Sequence, residues 1–160
     1  MSESTPAPGT PAKKPRPDTG PVLYDLPSAY LPHPAFGLLH LPRFIAKIRK
    51  HLAGELPPPY QRNFTRGFDG FLCLHLGVDP QAVIAAVRES KSEEELTAKL
   101  KALFPADVRA AKWNREVVQK GMSEMGREAL ASTKAKMGIA DRDDLRSFAD
   151  MIDFDEERID

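Results

Sequence analysis

Proline and glycine divide most of this chain into short segments, and this punctuation limits what the chain can fold into. After residue 40, apolar side chains within the segments recur at three- and four-residue spacing, the period of an α-helix with one buried face. No run of alternating β-branched residues bounded by turns occurs. We therefore predict an all-α fold: a single compact, bundle-like domain of about seven helices joined by short loops.

Residues that favour helix ends place the first two helices. Pro42 suits the first position of a helix, and Gly54 its end. The prolines at 57–59 predict a non-helical connection, and residues 60–66 a loop leading to a second helix near Phe68.

The later helices also begin at recognisable residues. Asp79 with Pro80 predicts the start of a third helix, and Ser92 with Glu95 a capping box on the fourth. We expect a fifth helix over residues 107–120 and a sixth ending at residue 138. Two acidic residues are expected to cap the last helix, namely Asp141 and Asp144.

Composition divides the chain into a tail and one domain. Residues 1–20 are rich in proline and small polar residues and predict a disordered tail. Residues 21–40 carry prolines among apolar residues and predict an extended strap, so the helical domain spans 21–160 and its helices 41–160. With 41% apolar residues, the chain can bury one substantial core.

Charge and cysteine content exclude several classes of partner. The formal net charge is +0, so no overall field draws nucleic acid to the chain, and no stretch of about 18 apolar residues predicts a membrane span. Cys73 is the single cysteine and excludes an intramolecular disulfide. We expect a soluble cytoplasmic protein without a metal or cofactor.

No common catalytic motif is present. The sequence lacks a G-x-S-x-G elbow, a Walker phosphate loop, an H-E-x-x-H pair and a dinucleotide fingerprint. A calcium loop starting at Asp141 fails, because the position that needs glycine holds Arg146. These absences disfavour the common hydrolase, ATPase and dehydrogenase classes, although not enzymes in general.

A basic stripe on the first helix is the strongest local charge bias. Arg43, Lys47 and Lys50 share one face, and Arg66 follows in the next loop. Guanidinium groups near a helix start can hold a phosphate or carboxylate. The alternative is a solvated helix face, or pairing of these cations with the acidic residues at 141–160.

The segment 60–70 gathers hydroxyl, amide, guanidinium and carboxylate groups beside aromatic rings, a mixture typical of a small-molecule pocket. The alternative is structural: Asp69 and Asn63 satisfy backbone N–H groups, and Tyr60 fills the core. A histidine on an apolar face and a lone tryptophan are more often core residues than site residues. The candidate binding residues are Arg43, Tyr60, Asn63, Arg66, Asp69, His75 and Trp113.

Six short pieces in order resemble a known family. They are Leu-Pro-Arg at 41–43, Ala-Gly at 53–54 followed by Tyr60, Gly-Phe-Asp at 67–69, Leu-Gly at 76–77 with Asp79, Trp-Asn at 113–114, and Asp-Arg-Asp-Asp at 141–144. From about residue 31 to the end, the chain resembles an uncharacterised bacterial family, domain of unknown function 5069. The resemblance implies a helical, stand-alone protein and supplies no reaction, cofactor or catalytic residue.

Three functions are compatible with these features. The first is a helical binding protein whose pocket accepts an anionic small molecule or a partner's acidic segment, with Arg43 and Arg66 contacting the anion. The second is an enzyme that uses Asp69 as a general base together with His75, which requires both to reach one cavity. The third is an interaction module that docks a larger assembly through its tail and acidic end, and it predicts an exposed apolar patch.

Overall fold

The computed structural model describes residues 21–160, and within them it contains eight α-helices and no strand. The predicted all-α class is confirmed, whereas the predicted tail at 1–20 lies outside the described residues. The helices are α1 (Leu41–Leu52), α2 (Pro58–Gln61), α3 (Gly67–Leu76), α4 (Pro80–Glu89), α5 (Glu93–Leu103), α6 (Ala110–Gln119), α7 (Glu124–Lys136) and α8 (Phe148–Asp155).

Helix α2 corrects the prediction that the proline run is non-helical. Pro57 is its N-cap, with extended backbone, and prolines occupy its first two positions. Proline is compatible with the first turn because the N–H it lacks has no intrahelical partner there. The run therefore starts a short helix, which carries the half-buried Tyr60.

Helix caps are predicted correctly in the middle of the chain and wrongly at its end. The side chains of Asp79 and Ser92 accept hydrogen bonds from backbone N–H groups at the starts of α4 and α5. The predicted capping box on α5 is only half formed, because the Glu95 carboxylate accepts from Lys91 N and not from Ser92 N. Helix α8 begins after Ser147, which forms a reciprocal capping box with Asp150. The predicted capping of this helix from residues 141 and 144 is therefore wrong.

Helix α1 lies in the main core, where it contacts α3 and α4. Leu41, Phe44 and Ile48 are fully buried on one face. Arg43 and Lys47 are also buried, only 5% and 6% exposed, so the interpretation of this stripe as a solvated face is wrong for both. Pairing with the acidic end of the chain is confirmed for Arg43, as described below.

A second, smaller core forms between α7 and α8. Its buried residues are Leu130, Ile139, Leu145, Met151 and Phe154, compared with nineteen in the main core. Residues 21–40, which contain no helix, bring Tyr30 to the start of α8: its hydroxyl lies 2.6 Å from both Ser147 Oγ and Asp150 Oδ1. The two cores thus meet at α8, through these polar contacts and through Ala149 and Ile152, which pack in the main core.

No single helix within residues 21–160 is both long enough and apolar enough to cross a membrane; α3 and α4 reach the required length and composition only together, across a 94° bend.

Candidate functional site

A cavity of about 650 Å³ lies between the main core and the α7–α8 core. This volume is within the range of small-molecule sites. Its apolar lining consists of Pro21, Val22, Pro59, Phe68, Phe71, Met137, Phe148, Met151 and Ile152. Its polar lining consists of His40, Arg43, Lys47, Tyr60, Asn63, Arg66, Lys120, Thr133, Asp155 and Glu156.

A buried carboxylate joins two of the lining residues. Asp69, fully buried in the first turn of α3, places Oδ1 2.6 Å from His40 Nε2 and Oδ2 2.7 Å from Lys47 Nζ. Its Oδ2 also accepts a hydrogen bond from Thr65 N at 3.1 Å. His40 and Lys47 reach the same carboxylate because they lie seven residues, or about two helical turns, apart along α1.

The surroundings fix the charge states of the Asp69 carboxyl and the His40 imidazole. Burial raises the pKa of the Asp69 carboxyl, but the His40 hydrogen bond and the Lys47 charge outweigh burial and hold it below its usual value. Burial lowers the pKa of His40, and its hydrogen bond to Asp69 only partly opposes this. Asp69 is therefore ionised and the His40 imidazole neutral at pH 7.

One atom of the trio has no protein partner. His40 Nδ1 is buried and makes no hydrogen bond to any of the residues that the structure describes. The Phe68 ring packs against the imidazole, with ring centroids 5.3 Å apart. A buried acceptor left unpaired costs about 1–3 kcal/mol, so this nitrogen is an exception that calls for an explanation.

A second buried ion pair connects α1 to the end of α8. Arg43 donates two hydrogen bonds to Glu156, with Nη1–Oε1 2.7 Å and Nη2–Oε2 2.6 Å. Arg158 adds a contact of 2.8 Å to Oε1, and the Tyr60 hydroxyl donates to Oε2 at 3.1 Å. Burial and the adjacent Glu156 carboxylate raise the pKa of Tyr60 to about 12, so its hydroxyl keeps its proton.

The remaining cations of the lining are more exposed. Arg66 is the N-cap of α3, and its guanidinium has no hydrogen-bond or ionic partner among the described residues. Lys120 is half-buried, and its Nζ lies 3.7 Å from the centroid of the Phe71 ring. Both cations are therefore open to a ligand's negative charge.

The structure separates the sequence-based candidates into two groups. Arg43, Tyr60, Asn63 and Arg66 line the cavity, and Asp69 lies directly behind it, bound to two of its lining residues. The other two candidates, His75 and Trp113, lie outside the lining.

His75 and Trp113 pack against each other, with ring centroids 5.6 Å apart. His75 Nε2 lies 2.8 Å from the Val108 carbonyl oxygen, and Trp113 donates its indole N–H to the Leu39 carbonyl at 2.8 Å. The hypothesis that Asp69 and His75 share one cavity is therefore wrong, since the histidine beside Asp69 is His40.

Sequence reasoning missed three residues of this site. His40 is absent from the sequence-based candidates, Lys47 enters only as part of the basic stripe, and Glu156 only as part of the acidic end. For His40 a usable signal exists, because it precedes Leu-Pro at a helix start where Ser, Thr, Asp or Asn is usual. No group of three or more His, Cys, Asp or Glu side chains suited to a metal ion occurs in residues 21–160.

Comparison with known families gives a match over residues 35–158, to the family described as Domain of unknown function (DUF5069). No curated protein and no solved structure matches the chain.

Proposed function

The chain belongs to the DUF5069 family, described as a domain of unknown function, and we propose that it binds a small amphipathic anion in the cavity between its two cores. One observation supports this most: an apolar wall and two cations that have no carboxylate partner within residues 21–160 line the same space. The wall suits an alkyl or aromatic body, whereas Arg66 and Lys120 suit a carboxylate or phosphate head.

The charges around the cavity favour an anion over a cation. Four cationic side chains line it, against the carboxylates of Asp155 and Glu156. Asp69, behind the lining, is bound to Lys47, and Glu156 is bound to Arg43. With Asp155 also counted, the four cations exceed the three carboxylates by one, so positive charge remains in excess.

A docking module is less favoured by the same geometry. That function depends on an acidic end available to a partner. Asp143 and Asp144 are exposed, but Glu156 is 5% exposed and bound to Arg43, Arg158 and Tyr60, so it is withdrawn from that end. Its carboxylate already has three partners in this chain.

Binding can be tested by isothermal titration calorimetry with decanoate as the anionic probe. Decylamine and decanol carry the same alkyl chain with a positive or no charge. We expect decanoate to bind most tightly, since only its head complements the free cations. Equal binding of decanoate and decylamine, or no binding of decanoate, would contradict the proposal.

Two arginines in the loop before α3 provide a matched pair of variants. Arg66 lines the cavity, whereas Arg62 is exposed and does not. We expect Arg66→Glu to weaken decanoate binding about tenfold, the loss of one charge-assisted contact, and Arg62→Glu to leave it unchanged. Equal losses of affinity in the two variants would mean that Arg66 acts only through the overall charge of the protein and does not contact decanoate.

A further inference from the structure

Residues 21–25 form a short flap beside the cavity. Pro21 and Val22 belong to the cavity lining, and the chain then turns at residues 24–26. Leu26, the residue that follows the flap, is 3% exposed and lies in the interior. The flap therefore joins the folded body at a fixed point and supplies part of the wall that a bound ligand contacts.

Two arginines bound to Glu156 hold the chain just after the flap. Arg43 Nη1 donates to the Pro27 carbonyl at 3.1 Å, and Arg158 donates to the Leu26 carbonyl. Both guanidinium groups also contact the buried Glu156 carboxylate. Hydrogen bonds from charged donors are stronger than those between neutral groups, so this end of the flap is firmly anchored.

The outer part of the flap is held more weakly. Among the described contacts, Leu23 N donates one hydrogen bond to the Tyr60 hydroxyl at 2.9 Å, and Asp25 pairs with Lys50 at 2.8 Å. The Asp25 side chain is 67% exposed, and ion pairs in contact with water add little stability. A neutral hydrogen bond also adds only modestly. The flap can therefore open while its anchored end stays in place.

Tyr60 connects the flap to α8. Its hydroxyl accepts the hydrogen bond from Leu23 N and donates its own proton to Glu156 Oε2 at 3.1 Å. Glu156 is the C-cap of α8 and, like three apolar residues of that helix, lines the cavity. The closed flap and the α8 wall of the cavity are thus held together by one hydroxyl group.

We propose that the flap closes over the amphipathic anion bound in the cavity and opens to admit and release it. The inference rests on the proposed function and adds how access to that site is controlled. A ligand contacts Pro21 and Val22 only when the flap is closed, so binding stabilises the closed flap. By the same linkage, opening the flap weakens binding by an equal factor, and the closed flap slows release.

The position of the flap can be followed by cysteine labelling of the full chain. Val22→Cys places a thiol at a half-buried position of the lining. The natural Cys73 does not compete, because it is buried and burial raises its pKa to about 12. The matched control is Leu31→Cys, since Leu31 is 49% exposed and outside the lining. Both variants are labelled with iodoacetamide, with and without decanoate.

We expect decanoate at 100 times its Kd to slow labelling at position 22 at least about tenfold and to leave position 31 unchanged. Calorimetry on the Val22→Cys protein measures decanoate binding separately. If decanoate binds and labelling at position 22 is no slower, the flap inference is overturned while the proposed function stands. If decanoate does not bind, the proposed function fails and the flap inference falls with it.

A change at Tyr60 distinguishes flap opening from direct shielding of the thiol by decanoate. In the ligand-free Val22→Cys protein, we expect added Tyr60→Phe to speed labelling at position 22 about fivefold, because Leu23 N loses its acceptor. The matched control is Tyr24→Phe, which removes the hydroxyl of a flap residue that is 60% exposed and outside the lining. It should leave the rate unchanged. Equal rates with and without the Tyr60 hydroxyl would mean that this bond does not hold a flap, against the proposal.

The Leu23 amide provides a second measurement on the wild type, should Tyr60→Phe not fold. Its hydrogen bond to Tyr60 exists only in the closed flap, so hydrogen exchange at this amide reports opening. We expect saturating decanoate to slow exchange at Leu23 at least about tenfold. The Leu31 amide, which donates to the Ser28 carbonyl away from the cavity lining, should exchange at the same rate. Unchanged exchange at Leu23 when decanoate is bound would overturn the inference.

Discussion

Arg43 and Glu156, 113 positions apart in the sequence, form the most fully enclosed ion pair between the two cores. The two side chains are 6% and 2% exposed, so water solvates neither charge well. A buried pair of this kind stabilises little relative to apolar residues of the same volume, but losing one partner leaves an uncompensated charge. The pair therefore specifies how the cores are joined more than it adds stability.

We expect Glu156→Ala to lower the free energy of unfolding by about 3–5 kcal/mol, because Arg43 stays buried without its carboxylate. The double variant Arg43→Met with Glu156→Leu should recover most of this loss. Urea denaturation followed by circular dichroism gives both values. The control is Glu93→Ala, which breaks the exposed pair with Arg49 and should cost no more than about 1 kcal/mol. Similar losses in Glu156→Ala and Glu93→Ala would show that the Arg43 pair is not effectively buried.

His40 also makes stability depend on pH. Burial lowers its pKa in the folded state, so between that value and the ordinary 6.5 the unfolded chain binds the extra proton. Stability should therefore fall as pH drops below about 6.5, by up to about 1.4 kcal/mol per pH unit. Asp69 stays ionised in this range because its pKa is held below its usual value.

The pH effect can be assigned by measuring urea unfolding between pH 5 and 8 in the wild type and His40→Asn. The slope should be smaller in the variant. Burial also lowers the pKa of His33, so a residual slope of the same sign is expected there. Identical slopes in both proteins would mean that the folded state accommodates a charged His40.

At the scale of elements, the sequence predicts helices where the signals for their ends are local. Pro42 and Asp79 act on their own helices, and the structure confirms the starts of α1 and α4. The start of α8 is different, because residues 141, 144 and 147 are all good caps. The Tyr30 hydroxyl bonds Ser147 and Asp150 from more than 100 residues away and favours the last of the three. The local sequence around α8 cannot predict this contact, because Tyr30 is distant in the chain.

Prediction of the residues at the cavity meets the same limit. The chemistry of residues 60–66 identified Tyr60, Asn63 and Arg66, because hydroxyl, amide and guanidinium groups are recognisable one by one. His40 was missed because its significance depends on Asp69, 29 positions further on and in another helix. Helix α6 contributes a further non-local element: Asn114 bonds Leu39 N and the Gly37 carbonyl and holds the chain just before His40. A single sequence does not show which distant residues contact each other in this way.

For the whole molecule, unequal cores imply unequal stability. The α7–α8 core has five buried residues against nineteen in the main core, and the cavity lies between them, while α8 also packs Ala149 and Ile152 against the main core. Regions with fewer buried apolar contacts open more readily. We therefore expect local opening to release α7 and α8 first, with the Arg43–Glu156 pair as the last polar connection between the cores.

Hydrogen exchange followed by mass spectrometry tests this order and the ligand's place in it. Amides of α7 and α8 should exchange faster than those of α1 and α4. A ligand bound between the cores stabilises only the closed state, so decanoate at 100 times its Kd should slow exchange in α7 and α8 about 100-fold where opening releases it. Arg66→Glu, at the same decanoate concentration, should lose most of this protection, whereas Arg62→Glu should keep it. Uniform protection over all helices would mean that decanoate stabilises the fold globally, and the two cores would then open as one unit.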